Sequence, residues 1–330
     1  MLNSVCSKSK YLLLIAALPF LLISPAMAAN LLVDDGSDGA TGCTLRSAID
    51  SVNDGQDTGE CEADGDYGDN DSIDFSVAAI SGLVSTLNIT ESVAINPAGT
   101  ALSITNIGNG SVFNIDEAVV SFDKALITGG DSGSDGGGIL AKDSIVTLRN
   151  CTIEDNTVSG VGGDGGGIFI EDTDLTLIDS TVIGNTTQDD GGGIYVEDST
   201  LTLNNSTVAN NTAGDEGGGI NIFGQNSSGT MTNTTISGNT AMDEGGGIHL
   251  RFNGSASLIN TTVSNNTANR TAGGISIAGG RSFTMSNSLV AGNFSDPTSP
   301  SAFSEILVGF NTLNLLGNNL LGDNLSLIHI

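Results

Sequence analysis

Five copies of Gly-Gly-Gly-Ile recur through the middle of this chain, at residues 136–139, 165–168, 191–194, 217–220 and 245–248, and Ala272-Gly273-Gly274-Ile275 repeats the step with one change. The isoleucines stand 29, 26, 26, 28 and 27 residues apart. A second mark keeps the same beat: Asn156, Asn185, Asn211, Asn239, Asn266 and Asn293 each follow a β-branched residue by three positions. Six residues before each of them stands Asn150, Asp179, Asn205, Asn233, Asn260 or Asn287, and eight before stands Leu or Met. Self-similarity at one fixed period is the mark of an array in which each unit packs only on its neighbours. A chain of this length can therefore fold without one large globular core.

The faces of one unit define the array. Leu175 and Leu177 share a face, as the two-residue period of a strand requires, and Asp179 keeps that parity. The next apolar residue, Val182, lies three positions on, so a flat strand would put it on the wrong face. The chain must bend there, and Asn and Asp tolerate the left-handed backbone that a tight bend needs. A second odd step, from Val182 to Asn185, implies a second bend. Each unit is then two or three short strands with Asn-marked corners, and Asn stacks on Asn in amide ladders from coil to coil. Ile168 and Ile170 point inward and Phe169 outward, with the same alternation in Ile194-Tyr195-Val196 and Ile248-His249-Leu250. The Gly and Asn-Thr content and the β-branched bias exclude helices from the repeat.

The fold expected is all-β, a right-handed parallel β-helix of about nine coils with roughly 27 residues per coil. A left-handed helix would show hexapeptide periodicity and a leucine-rich horseshoe would show Leu-x-x-Leu-x-Leu; neither is present. Residues 72–323 make the helix, with less regular early coils up to about Gly130, and residues 29–71 cap its open N-terminal edge. Residues 1–28 read as a signal peptide, with Lys8 and Lys10, an apolar run from Tyr11 to Ile23, and Ala26-Met27-Ala28 as the small-x-small cleavage pattern. Residues 324–330 read as a truncated tail. After the signal, no apolar stretch is long enough to span a bilayer. Export permits a disulfide, and Cys43 and Cys61 share one acidic segment, so they are expected to pair. Cys151 occupies a repeat position filled elsewhere by Ser or Thr and reads as a small buried residue.

Several of these marks resemble known families. Cys43-Thr44-Leu45-Arg46-Ser47-Ala48-Ile49, after Val33-Asp34-Asp35, resembles the CSLREA segment that opens many bacterial exported β-helix proteins, with Thr44 and Ser47 in place of its Ser and Glu. The Gly-Gly-x-Ile and Asn marks are similar to repeats of the chlamydial polymorphic outer-membrane proteins. Gly292-Asn293 and Gly317-Asn318-Asn319-Leu320-Leu321-Gly322-Asp323 resemble the end of the helix in choice-of-anchor Q proteins. The resemblance spans roughly 31–323. It implies this fold and a secreted or outer-surface location in a bacterium, and no established chemistry.

The formal net charge is −29, and the signal segment holds two of the lysines and no acid. Nucleic acid and anionic membranes attract basic faces, so they are excluded as partners. Acidic residues recur just before the glycines: Asp135, Asp164, Asp189 with Asp190, Asp215 with Glu216, and Asp243 with Glu244. Stacked a strand spacing apart they repel, and a hard cation such as calcium would relieve this; the other reading is a solvated acidic edge. The outward row runs Leu140, Phe169, Tyr195, Asn221, His249, Ser276, and its first three residues make an apolar stripe, either a binding surface or a stabilising ladder. His249 reads as an exposed ladder position.

No catalytic constellation stands out. A lyase needs a basic residue beside acidic ligands, and Arg149 and Arg251 fall on different registers with no distinctive acidic companion. A hydrolase needs paired carboxylates at a set separation. Without Trp, platforms for sugar stacking are scarce. The glycines precede strands rather than helices, so they form no nucleotide loop. The expected function is a non-enzymatic secreted or cell-surface protein, structural or adhesive, with extracellular polysaccharide or a host or neighbouring cell surface as partner. The alternative is a polysaccharide lyase or glycoside hydrolase.

Overall fold

Left-handed residues divide each repeat into four strands, one or two more than the parity breaks in the sequence suggested. The computed structural model describes residues 28–38, 42–68, 70–95, 102–279, 282–296, 305–309 and 312–322. All but Ala28 of the expected signal peptide, and the whole tail 324–330, lie outside the described residues. A typical coil runs Ile194–Glu197, Thr200–Asn204, Thr207–Ala209 and Thr212–Ala213. Its bends fall at Asp198, Asn205 and Asn210, with φ of 43°, 52° and 54°. The last strand has only two residues, too few to show a period of its own.

Like strands stack into four parallel sheets. Sheet I holds the Gly-Gly-Gly-Ile strands and has nine members, close to the coil count expected; sheets II, III and IV have eleven, ten and seven. In sheet I, Ile139, Ile168, Ile194, Ile220, Ile248 and Ile275 pair in one unbroken register. The core between the sheets is filled by inward Ile, Val and Leu that are 0–1 % exposed, such as Ile194, Val196, Leu201, Leu203 and Val208. Each such side chain stabilises the fold by about 1.5–3 kcal/mol.

Two kinds of polar ladder complete the corners. Asn156, Asn185, Asn211, Asn239 and Asn266 are fully buried, and each donates from Nδ2 to the side-chain oxygen of the next at 2.9–3.0 Å. The left-handed residue at that corner is the one before: Asp155, Gly184, Asn210, Gly238 or Asn265. Hydroxyls do the same work at other corners. Ser144, Thr173, Ser199 and Ser227 each accept the backbone N–H of the preceding coil at 2.9–3.4 Å. Cys151 stands in a similar column with Ser180 and Ser206; it is buried, and burial pushes its thiol up to about 11.

At the N-terminal end, Asn30–Val33 adds an edge strand to sheet II by pairing with Asp71–Phe75. Helix α1, Leu45–Asp54, lies against Leu87–Ile89, the edge strand of sheet I. No helix was expected in the cap, although Thr44 is a legible start signal: its side chain accepts the N–H of Ser47. Gly55, at φ 63°, ends the helix. The expected Cys43–Cys61 disulfide is present. Arg46 ties the cap down through a two-pronged pair with Asp38, both contacts 2.9 Å, and 3.0 Å bonds to the carbonyls of Ser85 and Thr86. At the other end Glu305, 4 % exposed, accepts from Asn293 Nδ2 at 2.8 Å and from the Gly292 N–H at 2.9 Å. Among the described residues no helix is long and apolar enough to cross a membrane.

Candidate functional site

The outer face of sheet I is where the sequence placed both candidate sites, and the structure covers it. Just before each of the five Gly-Gly-Gly-Ile strands the first glycine adopts positive φ, Ala272 does so before Ile275, and the preceding loop folds back across the row. The fit is close: a Cβ on Gly191 would lie 2.8 Å from Tyr195 Cβ, and one on Gly245 2.9 Å from His249 Cβ. Phe169 and Tyr195 are therefore only 4 % and 5 % exposed, and Leu140 is half-buried. Of the two readings of the stripe, the structure takes the ladder, stacked beneath the acidic loop. Phe169 and Tyr195 lie 5.3 Å apart and nearly parallel, with Lys142 Nζ 5.6 Å over the Phe169 ring.

The acidic loop forms a ladder of its own. Asp135, Asp164 and Asp190 each accept the backbone N–H of the next coil's acid, Asp164, Asp190 and Glu216, at 3.1, 2.9 and 2.8 Å. Like charges a strand spacing apart repel by roughly 3 kcal/mol at the effective dielectric near a protein surface. A charge-assisted hydrogen bond returns only about 1.5–3 kcal/mol. Burial adds to the imbalance. Burial, together with neighbouring carboxylates and against the backbone bonds, pushes Asp164 up to about 7 and Asp190 up to about 8. One oxygen each from Asp164, Asp189 and Asp190 lies within 4.8 Å of the others, an oxygen-only set of the kind calcium takes.

Further along the row the chemistry changes. His249 is fully buried, not exposed as expected, and sits between two glutamates of the loop. Its Nδ1 is 3.1 Å from Glu216 Oε2 and its Nε2 is 3.9 Å from Glu244 Oε2. The first contact is not aligned as a hydrogen bond and the second is too long for one, so both ring nitrogens lack a hydrogen-bond partner. A buried unsatisfied polar group costs about 1–3 kcal/mol. Arg251 has the acidic companion that its sequence position did not reveal: its guanidinium lies 2.6 Å from Glu216 Oε2. Arg270 pairs with both Asp243, at 2.5 Å, and Glu244, and Ser276 Oγ donates to Glu244 Oε2 at 2.9 Å. Burial pushes the Glu216 carboxyl up, but His249 and Arg251 outweigh it and hold the group below its ordinary value.

Of the acidic residues singled out in the sequence, Asp164, Asp189 and Asp190 thus come together, and so do Glu216 and Glu244. Asp135, Asp215 and Asp243 are drawn into neither set. Sequence reasoning missed Asn221, His249, Arg251 and Arg270 as one group. The row itself carried the signal, since it turns from apolar to Asn, His and Ser after Tyr195.

Among the described residues, two of the hollows at the corner between sheets I and II hold acidic side chains. One, of about 400 Å³, runs past the left-handed residues Glu117, Asp143, Asp172 and Asp198 and is lined by acids, hydroxyls and small apolar groups, with no Lys, Arg, His or aromatic side chain. The other, of about 370 Å³, is lined by Asp198, Phe223, Gly224, Gln225, Asn226 and Phe252. Phe252 is 54 % exposed, at φ 50°, and its ring lies 4.8 Å from that of Phe223.

The sequence model described as the right-handed beta helix region matches residues 86–268 and, overlapping them, 164–321. No curated protein matches the chain.

Proposed function

The chain belongs to the right-handed beta-helix family, and on that premise we propose that it is a non-enzymatic structural or adhesive protein of the cell exterior. The family is found both in enzymes, pectate lyase and hydrolases among them, and in adhesins, so the surface chemistry must discriminate. One observation carries the reading: beneath Arg251 and Arg270, which stay partly exposed, the sole described histidine and its glutamate partners are enclosed under the loop, His249 at 0 % and Glu216 at 9 % exposure. A polymer substrate cannot reach them. The open acidic hollow beside Asp143 and Asp172 is lined by carboxylates and hydroxyls, with neither the Lys or Arg that a lyase needs nor an aromatic platform for a sugar. The coils differ little in loop length, so the rod presents a repeated surface of Thr, Asn and Asp. The signal-like start and the Cys43–Cys61 bridge support export. Extracellular polysaccharide or a neighbouring cell surface is the partner this reading implies, with calcium held by Asp164, Asp189 and Asp190.

One observation favours the enzymatic alternative. Phe223 and Phe252 offer ring faces beside Asp198, Gln225, Asn226 and Arg251, the kinds of group that hold a sugar. Purified protein incubated with polygalacturonate and alginate, with calcium present, separates the two. Retention on the polysaccharide without new unsaturated or reducing ends supports the adhesive reading. Chain cleavage that Asp198→Asn abolishes overturns it.

A further inference from the structure

Asn221, His249 and Ser276 are partners in register on the outer face of sheet I, and all are fully buried. Neither amide atom of Asn221 and neither ring nitrogen of His249 has a hydrogen-bond partner. Buried polar atoms left without partners on adjacent coils mark a place where something else supplies the missing contact. Glu216 and Glu244 reach into the same place from the loop. One ring nitrogen and one oxygen from each glutamate lie within 4.8 Å of one another.

We infer that His249, Glu216 and Glu244 bind a divalent transition-metal ion, zinc first, with the Asn221 amide oxygen as a neighbouring donor. Donors held about 2.0–2.2 Å from a tetrahedral ion stand roughly 3.3–3.6 Å apart. His249 Nδ1 stands 3.1 Å from Glu216, near that spacing, and one ring nitrogen and one oxygen of each glutamate lie within 4.8 Å of one another, so small side-chain adjustments reach it. A buried imidazolium would instead need its N–H groups aimed along the carboxylate contacts, and they are not. The imidazole distinguishes this set from the oxygen-only set at Asp164, since nitrogen donors favour zinc and its neighbours over calcium. Only one ring nitrogen can meet the ion. Arg251 and Arg270 hold the glutamates from outside, and Ser276 holds Glu244. Asp190, Asp215 and Asp243 lie close enough to Arg251, Glu216 and Arg270 to keep the surroundings negative, so the two guanidiniums do not repel a cation outright.

The test uses the whole protein, stripped with a chelator and titrated with zinc chloride by calorimetry. The chain has two histidines, so nitrogen-15 histidine spectra of the unmutated protein report His249 against His329. The expected result is about one zinc ion per chain, a raised Tm, and His249 ring signals that move while those of His329 do not. His249→Asn and Glu216→Gln weaken binding at least about ten-fold, and Asp164→Asn, in the oxygen-only set, leaves it unchanged. Zinc that leaves the His249 signals in place overturns the assignment. So does binding that survives in His249→Asn, or that is lost only in Asp164→Asn. The spectra of the unmutated protein decide the matter even where a variant fails to fold.

Discussion

At the scale of the residue, the buried asparagines show how a single side chain serves three coils. Asn211 accepts the N–H and the Nδ2 of Asn185 at 2.9 and 3.0 Å, and donates to the Val182 carbonyl and to Asn239 at 3.1 and 3.0 Å. Asn211→Ala removes all of these bonds from a fully buried site. Each orphaned group costs about 1–3 kcal/mol, so a loss of several kcal/mol is expected in urea unfolding. Asn211→Asp keeps the shape but faces Asn239 Oδ1 with an acceptor, and should destabilise at least as much at neutral pH. A near-unchanged midpoint in either variant would sink this account of the ladder. The spacing of these asparagines was legible because the backbone demands it in every coil. Their roles were less so. Asn205 and Asn211 look alike in sequence, yet Asn205 takes the left-handed bend with φ 52° and Asn211 fills the interior, the bend there falling to Asn210. His249 was misread for a related reason. Alternation along a strand says which way a side chain points, and it does not say what the chain later lays over it.

The element that decides the outer face is the Gly-rich loop. A Cβ on Gly218 would lie 2.5 Å from the Thr240 carbonyl and 2.6 Å from the Gly246 oxygen, so Gly218→Ala must push two neighbouring coils apart. A drop in Tm well beyond that of an exposed Thr→Ala change is expected, read by circular dichroism. The same loop carries the acid ladder and sets a pH dependence. Asp164 and Asp190 are raised above the ordinary carboxylate value, to about 7 and about 8. Between pH 4 and 8 the folded chain therefore holds more protons than the unfolded one, and stability falls as pH rises through that window. In chelator-treated protein Tm should decline from pH 5 to pH 8, and Asp190→Asn should flatten the decline. A Tm that rises across the window would contradict the assignment. Calcium at Asp164, Asp189 and Asp190 would restore the Tm at pH 8 and leave it unchanged at pH 5. The recurrence of acids before glycines was plain in the sequence. Which of each pair joins the ladder was not, since Asp190 and Glu216 bond to neighbouring coils through contacts that only the register of stacking defines.

At the scale of the whole molecule, repetition makes coils interchangeable. Removing Ile194–Gly219 joins Gly193 to Ile220, restores Gly-Gly-Gly-Ile, and brings Ile168 into register with Ile220. The shortened chain should keep its β-sheet circular dichroism and unfold cooperatively, with a modestly lower Tm, because stability is close to a sum of coil and interface contributions. Collapse to an unfolded spectrum would show that the coils are more interdependent than their packing implies. The repeat announced this architecture from the sequence alone; the cap helix Leu45–Asp54 was missed because it occurs once and has no second copy to reveal it. The two ends are closed by different means. Helix α1 lies against the edge of sheet I at one, and at the other the asparagine column runs into Glu305. Every asparagine in that column receives from one neighbour and gives to the next, so the column has a direction, like a sentence read one way. At Glu305 the described column passes from amides to carboxyl oxygens, which receive from Asn293 and from the Gly292 N–H, so the line of amides reaches its full stop inside the protein rather than at an open amide.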